Sequence, residues 1–137
     1  MKMSTKARYG LYAATELAKA YGGNVLSAAD MSQAIGVTDK YLEQILALMK
    51  NDGIISAQRG AYGGYALSAP PEQISVGRVL RCLENDLKIV DCIGHTCKGK
   101  KSCAPHVLWT RLYKNINEFL DSVSLKELLE GADASIS

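Results

Sequence analysis

Residues 4–68 carry the pattern that most constrains the fold, because three capped helical segments precede a glycine-rich hairpin. Ser4 and Thr5 can cap a first helix, and Ser27 and Thr38 are placed to cap the second and third. The second and third helices are joined by a tight turn at Gly36. Two helices joined by a short turn that contains glycine form a helix-turn-helix, although an ordinary helical hairpin with a solvated polar face would show the same pattern.

The segment after the third helix favours the helix-turn-helix. Residues 54–57 and 65–68 read as two short strands, and residues 58–64 between them carry three glycines, one arginine and one tyrosine. A hairpin in this position is a wing, and its alternative is a plain surface turn. The expected fold is therefore mainly α with a small β-hairpin wing: a winged helix-turn-helix plus a long dimerisation helix.

The third helix is the candidate recognition helix. In a helix-turn-helix this helix lies in the major groove and uses its N-terminal residues on base edges. Gln44 could pair with adenine, Glu43 could accept from cytosine N4, and Arg59 on the wing suits a narrow minor groove. The predicted DNA-contacting residues are Thr38, Asp39, Lys40, Tyr41, Glu43, Gln44, Arg59 and Tyr62.

Three of the four cysteines gather in residues 92–106, where the spacing is C-x4-C-x5-C-x2-H. Three thiolates and one imidazole supply the four ligands that a tetrahedral zinc ion or a small iron–sulfur cluster needs. The gaps are wider than the paired C-x2-C knuckles of most zinc ribbons, which favours a cluster. The predicted metal ligands are Cys92, Cys97, Cys103 and His106.

The fourth ligand has alternatives. Pro105 suits the first turn of a helix, so Cys103 and His106 would lie at i and i+3 on one face of it. His95 lies inside the loop with no helical scaffold to hold it, and we rank it second. Cys82 belongs to an earlier helix, where we expect it to be a small buried core residue rather than a ligand.

A periodic segment from Pro105 to about Val123 predicts the longest helix. Its large apolar residues recur every three or four positions, as in the a/d seam of a coiled coil. These seam residues are Trp109, Leu112, Ile116, Phe119 and Val123. We favour packing of this seam against a second copy of the chain over an intrachain core helix. A short closing helix over residues 125–129 and a frayed tail from Gly131 are expected to follow.

Composition places few limits on function. Hydrophobic residues make 47% of the 137 residues and the net charge is only +2, so a DNA-binding surface must be a local patch. The chain has no apolar run long enough for a membrane and no secretory signal, and we expect it in the cytoplasm, where thiols stay reduced. We find no carboxylate pair, nucleophile–base arrangement or phosphate loop in a suitable context, so an enzyme is not expected.

Two functional regions follow from these signals. Residues 1–69 are predicted to form the winged helix-turn-helix DNA-binding domain. Residues 70–137 are predicted to hold the cluster-binding loop and the dimerisation helix.

Three segments resemble the Rrf-type family of winged-helix transcription repressors. Residues 3–11 look like the first helix of that family, and residues 41–44 match its recognition helix. Residues 59–65 are similar to its wing, in the CymR-like wording. The resemblance implies a homodimeric transcription regulator that binds a pseudo-palindromic operator in double-stranded DNA, with Glu43 helping to choose between DNA sequences.

The cysteine-rich segment is most similar to the IscR-like members, which hold a 2Fe–2S cluster with three cysteines and one histidine. The resemblance therefore implies a 2Fe–2S cluster on Cys92, Cys97, Cys103 and His106, with a 4Fe–4S cluster or zinc less expected. The predicted function is a DNA-binding regulator that senses cluster status or redox state. Its rivals are a regulator with a zinc or thiol-redox switch at the same cysteines, and an iron–sulfur carrier that does not bind DNA.

Overall fold

The chain forms six α-helices and one two-stranded antiparallel sheet over the residues that the structure, a computed structural model, describes: 2–84, 87, 88, 90 and 104–136. The elements in chain order are α1 (Thr5–Lys19), α2 (Ala28–Ile35), α3 (Asp39–Asn51), β1 (Ile55–Gln58), β2 (Gly64–Leu67), α4 (Val76–Glu84), α5 (Ala104–Ser122) and α6 (Leu125–Ile136). A 3₁₀ turn, Pro71–Gln73, leads from β2 to α4. The predicted fold class, mainly α with a β-hairpin wing, is confirmed.

The three predicted N-caps begin the first three helices. The side-chain oxygens of Ser4, Ser27 and Thr38 accept hydrogen bonds from the backbone N–H three residues on, at 3.1, 3.0 and 3.1 Å. Asp30 completes a capping box by accepting from the N–H of Ser27 at 3.2 Å. Gly36 ends α2 at φ 88°, a left-handed conformation that favours glycine, and so turns the chain into α3.

The wing is displaced by one residue from its predicted strands. In the ladder, Ile55 pairs with Leu67 and Gln58 with Gly64. Ile54, expected in the first strand, instead donates its N–H to the carbonyl of Met49 at the end of α3, at 3.0 Å. This backbone hydrogen bond fixes the start of the hairpin directly after the recognition helix.

One hydrophobic core joins the helix-turn-helix to α4. Each of α1, α3 and α4 contributes fully or nearly fully buried side chains, including Leu17, Leu42, Ile45, Leu46, Met49, Val79, Leu80 and Leu83. Leu125 from α6 is buried in the same cluster. Packing is thus continuous across residue 69, and the domain boundary placed there stays a prediction about function.

The expectation of a frayed tail from Gly131 is wrong. Helix α6 continues to Ile136 and packs against α1. Its buried Leu125 and half-buried Leu128 and Leu129 join the core, and the helix continues past the glycine. None of the helices in the described part of the chain combines the length and apolar character that crossing a membrane requires.

We expect the buried face of α3 to provide most of the contribution that this helix makes to the free energy of unfolding. Leu46 is fully buried, whereas Leu48 on the same helix is 37% exposed. Leu46→Ala should lower the free energy of unfolding by about 2–5 kcal/mol, because it leaves a cavity. The matched control, Leu48→Ala, should cost about 1 kcal/mol or less. Urea unfolding of both variants is the measurement, and equal losses would contradict this account of the core.

Candidate nucleic-acid interface and metal site

The exposed face of α3 carries the polar residues predicted to read DNA. Leu42, Ile45, Leu46 and Met49 anchor the opposite face in the core. Lys40, Glu43 and Gln44 therefore point to solvent from the first half of the helix. This face offers one cation, one carboxylate and one amide to a major groove, which is the mixture that base edges require.

Two of the predicted contact residues also have structural partners. The Thr38 hydroxyl accepts from the N–H of Tyr41 at 3.1 Å and thereby caps α3. The half-buried Tyr41 ring meets Tyr9 of α1 edge to face, with ring centroids 6.1 Å apart and planes at 87°. Thr38 thus stabilises the start of α3 locally, Tyr41 holds it against α1, and the contact of either residue with DNA stays a prediction.

Asp39 faces a residue that sequence reasoning missed. Ser32 on α2 is only 5% exposed, and its hydroxyl hydrogen-bonds Oδ1 of Asp39. The same hydroxyl lies 3.1 Å from the carbonyl oxygen of Ala29. The available signal was a serine on the inner side of α2, seven residues before the first residue of α3. The pair braces the two helices of the helix-turn-helix against each other.

The wing holds its two predicted contact residues at an exposed tip. Arg59 is exposed, and Tyr62 is 92% exposed. The tip closes by a hydrogen bond from the N–H of Gly63 to the carbonyl of Gly60 at 3.0 Å. An isolated bridge between Leu26 and Tyr65 ties β2 to the segment that enters α2, so the wing is held beside the helix-turn-helix.

Helix α4 supports the C-terminal end of α3. The Arg78 guanidinium donates to the carbonyl oxygen of Asp52 at 3.1 Å, and its Nε lies 3.7 Å from the Asp52 carboxylate. One turn further on, the Cys82 thiol donates to the carbonyl of Leu48 at 3.3 Å. The recognition helix is thus held at its N-terminus by α2 and at its C-terminus by α4.

Cys82 is half-buried at the edge of the core, less buried than expected. Burial raises the pKa of its thiol, the Asp52 carboxylate raises it further, and the Arg78 guanidinium opposes them. A metal bound at Cys82 would have to overcome this preference for the neutral thiol, since a metal ligand must be a thiolate. The thiol also has a partner in Leu48, so Cys82 is poorly suited as the fourth ligand.

Of the four predicted ligands, only His106 lies among the residues that the structure describes. Helix α5 begins at Ala104 and carries His106 in its first turn, as the position of Pro105 predicted. The ring is half-buried, and its Nδ1 is buried with no hydrogen-bond partner among the described residues. Buried polar nitrogens are rarely left unpaired, so an unpartnered Nδ1 fits a metal ligand. Cys92, His95, Cys97 and Cys103 lie outside the described residues, and the ligand set stays a prediction.

Comparison with protein families decides what kind of protein this is. The family model described as Rrf2, an iron-dependent transcriptional regulator, matches residues 3–131. The chain belongs to the Rrf2 family. This membership confirms the resemblance inferred from the three segments, and it makes the chain a transcription regulator, not an enzyme. The idea of an iron–sulfur carrier without DNA binding is therefore set aside, since transcription regulation implies DNA binding.

Curated relatives of this Rrf2 protein include two differently named regulators. The chain is 36% identical to the HTH-type transcriptional regulator CymR of Bacillus subtilis over 97% of its length and 93% of the relative. It is 34% identical to the HTH-type transcriptional regulator IscR of Aliivibrio salmonicida, over 94% of its length and 77% of the relative.

Solved structures of a CymR and an IscR are also similar to this chain. The chain superimposes on CymR, the global cysteine regulator of B. subtilis, with a TM-score of 0.82 and 36% identity, over 93% of this chain and 95% of that one. It superimposes on IscR of T. potens with a TM-score of 0.82 and 32% identity, over 98% and 90% of the two chains. These neighbours confirm the winged-helix architecture of this Rrf2-family protein.

We expect Ser32 and Asp39 to be energetically coupled. Ser32→Ala removes the hydroxyl that the Asp39 carboxylate faces, and hydrogen bonds to charged groups contribute about 1.5–3 kcal/mol. A double-mutant cycle with Ser32→Ala and Asp39→Ala, followed by urea unfolding, should give a coupling free energy of about 1 kcal/mol or more. Ser56→Ala, at an exposed strand position, is the control for the serine change. If the free-energy losses of the two single substitutions simply add, Ser32 and Asp39 are not coupled and their bracing role is wrong.

Proposed function

We propose that this Rrf2-family regulator is a homodimer that senses iron–sulfur or redox status through a 2Fe–2S cluster held by Cys92, Cys97, Cys103 and His106. The observation that carries the proposal is the buried Nδ1 of His106, which has no hydrogen-bond partner among the described residues and lies in the first turn of α5, directly after the cysteine-rich segment. The family description, an iron-dependent transcriptional regulator, supports an iron-based signal.

The chemistry of the predicted ligands suits a sensor of cluster availability. When bound, a 2Fe–2S cluster would supply a redox-active group that can be gained and lost with cluster availability. Imidazole binds metal as a neutral ligand, so His106 would supply the one ligand of the four that carries no negative charge. The first turn of a helix also presents unpaired N–H groups and a positive dipole end, which favour the anionic thiolate of Cys103. Cys92, Cys97 and Cys103 would complete the ligand set from the preceding loop.

Helix α5 would transmit the gain or loss of the cluster to the rest of the protein, because His106 belongs to this helix. No residue of α5 is fully buried within its own chain. Four of its apolar side chains are strongly exposed, and these are Val107 at 58%, Leu108 at 56%, Leu112 at 38% and Phe119 at 65%. Exposed apolar residues along one long helix favour burial against another protein surface. A second copy is the occupant that we propose, since a two-fold DNA reader needs two recognition helices.

The proposed dimer surface differs in part from the seam read from spacing. Leu112 and Phe119 are exposed as a seam requires, and Trp109 and Ile116 are half-buried. Val123 packs against the core of its own chain. We therefore extend the proposed dimer surface to Val107 and Leu108, which lie on the exposed side of α5 nearer to His106.

The second candidate function is also that of a transcription regulator. It would sense its signal through a zinc site or a thiol-redox switch at the same cysteines. The observation that favours it is the 36% identity to CymR, whose structure is described as that of the global cysteine regulator. DNA recognition by Lys40, Glu43, Gln44 and the wing would be common to both candidates.

Arg59 should contribute to DNA binding by charge. Its guanidinium is exposed at the wing tip and makes no ion pair within the described residues, so it is available to a phosphate or a minor groove. Arg59→Ala should weaken binding to a duplex selected in vitro by the wild type, by about 3- to 30-fold, and reduce the salt dependence by about one counterion. Lys114→Ala, which removes one positive charge from α5, should leave affinity nearly unchanged. If Arg59→Ala binds the duplex as tightly as the wild type, Arg59 of the wing is not part of the DNA interface.

The metal is tested on anaerobically purified protein. An absorption spectrum with iron, sulfide and zinc assays on the same sample should give visible bands with about two irons and two sulfides per chain. His106→Ala should accelerate cluster loss and alter the visible spectrum, while His95→Ala should leave both as in the wild type. A colourless protein with one zinc would favour the second candidate, and four irons would change the cluster type. A spectrum and cluster lifetime unaffected by His106→Ala would remove His106 as a ligand.

A further inference from the structure

A polar clamp joins α4 to α5 in a position that no DNA or metal contact explains. The Arg81 side chain of α4 donates from Nε to Oδ1 of Asn117 at 3.1 Å and from Nη2 to Oδ1 of Asp121 at 2.6 Å. The Asn117 amide is itself oriented, because its Nδ2 donates to the carbonyl of Tyr113 at 2.8 Å. One guanidinium therefore binds two positions, one turn apart, on α5. We call Arg81, Asn117 and Asp121 the clamp.

Gly77 lets the two helices approach at the clamp. A Cβ at this position would meet the Asp121 carboxylate and would lie 3.2 Å from the Asp121 backbone nitrogen and 3.0 Å from Nη2 of Arg81. Any larger residue at position 77 would push α5 away from α4 or displace the ion pair. The glycine and the clamp thus define one packed crossing between the helices.

The clamp adds direction to a helix that is otherwise held at its C-terminal end. Backbone hydrogen bonds fix where α5 ends, from the N–H of Val76 to the carbonyl of Val123 at 2.8 Å and from the N–H of Leu125 to the carbonyl of Ile74 at 3.0 Å. No α5 residue is fully buried, and its core-facing residues Tyr113 and Leu120 are half-buried. Apolar burial is non-directional, whereas an arginine bound to two acceptors specifies a geometry. The side-chain contacts that can set the angle at which α5 leaves the domain therefore centre on Arg81.

The same α4 also holds the recognition helix, through the hydrogen bond from Arg78 to the Asp52 carbonyl at 3.1 Å. Arg78 and Arg81 lie one turn apart and face α3 and α5 respectively. We propose that Arg81, through Asn117 and Asp121, is a positioning residue that sets the angle between α5 and α3, and thereby the half-site spacing that the dimer accepts. This inference rests on the proposed dimerisation through α5.

A small change in the angle of α5 produces a large displacement at its far end. A helix of 19 residues is about 28 Å long at 1.5 Å per residue. A rotation of about 7° at one end moves the other end by about 3.4 Å, which is one base-pair step of DNA. Loosening the clamp by this amount would let the dimer accept operators that differ by one base pair in half-site spacing.

The experiment uses a spacing series. A duplex is selected in vitro by the wild-type protein, and derivatives carry one base pair inserted or deleted between the half-sites. The wild type should prefer its selected spacing strongly over both derivatives. Arg81→Met, which keeps the aliphatic stem but removes both hydrogen bonds, should reduce that preference about tenfold while binding to an isolated half-site stays unchanged. Lys114→Met, an exposed change on α5, is the matched control and should keep the full preference.

Two further variants separate positioning from folding. The clamp ion pair is partly exposed, with side chains 34% and 51% accessible, so its loss should change the thermal midpoint little. Asp121→Asn removes only the charge and should relax the spacing preference in the same direction, to a smaller extent, and it serves if Arg81→Met does not fold. Arg81→Lys should restore the preference in part, because it can contact one acceptor but not both.

The outcomes separate this inference from the proposed function. A folded Arg81→Met dimer that keeps the wild-type spacing preference overturns the role of the clamp and leaves the dimer in place. A wild-type protein that sediments as a monomer on DNA overturns the dimer and the inference together. Equal weakening on all spacings and on the half-site would make Arg81 merely a structural residue and would also overturn the inference.

Discussion

The structure depends on the packing of α4 against both α1 and α3. Val79, Leu80 and Leu83 of α4 enter the core that the helix-turn-helix forms, so the segment after the wing packs into the same core. Burial of apolar surface is strong but non-directional, and it fixes which faces meet rather than their angle. Polar contacts from the same helix supply the direction, since Arg78 reaches α3 and Arg81 reaches α5.

Polar contacts at helix ends therefore decide the functional geometry. The recognition helix is braced at its start by the pair Ser32 and Asp39, and at its end by Arg78 on the Asp52 carbonyl. The Glu84 carboxylate at the end of α4 accepts from the N–H of Ser4 at 2.6 Å and ties α4 to the start of α1. Each contact is modest in energy, but together they fix the position of α3 relative to α1, α2 and α4.

Local signals made much of the fold predictable. Caps at Ser4, Ser27 and Thr38 and the turn at Gly36 depend on neighbours within four residues, so their positions could be read directly. The wing strands differ from the predicted bounds by one residue, because the Ile54 N–H bonds to Met49 while only its carbonyl accepts from Ser68 across the hairpin. The tail from Gly131 was misjudged because the glycine does not end α6, whose Leu128 and Leu129 pack against residues more than a hundred positions away.

The sequence by itself determined the helix-turn-helix, the wing and the family, because caps, turns and short motifs are local. It also placed His106 in the first turn of a helix, since Pro105 marks that turn. Only the tertiary structure showed that Nδ1 of His106 is buried without a partner among the described residues, and that Asp39 faces Ser32. It alone divided the apolar residues of α5 between the chain's own core and its exposed side, because burial depends on which distant helices pack together.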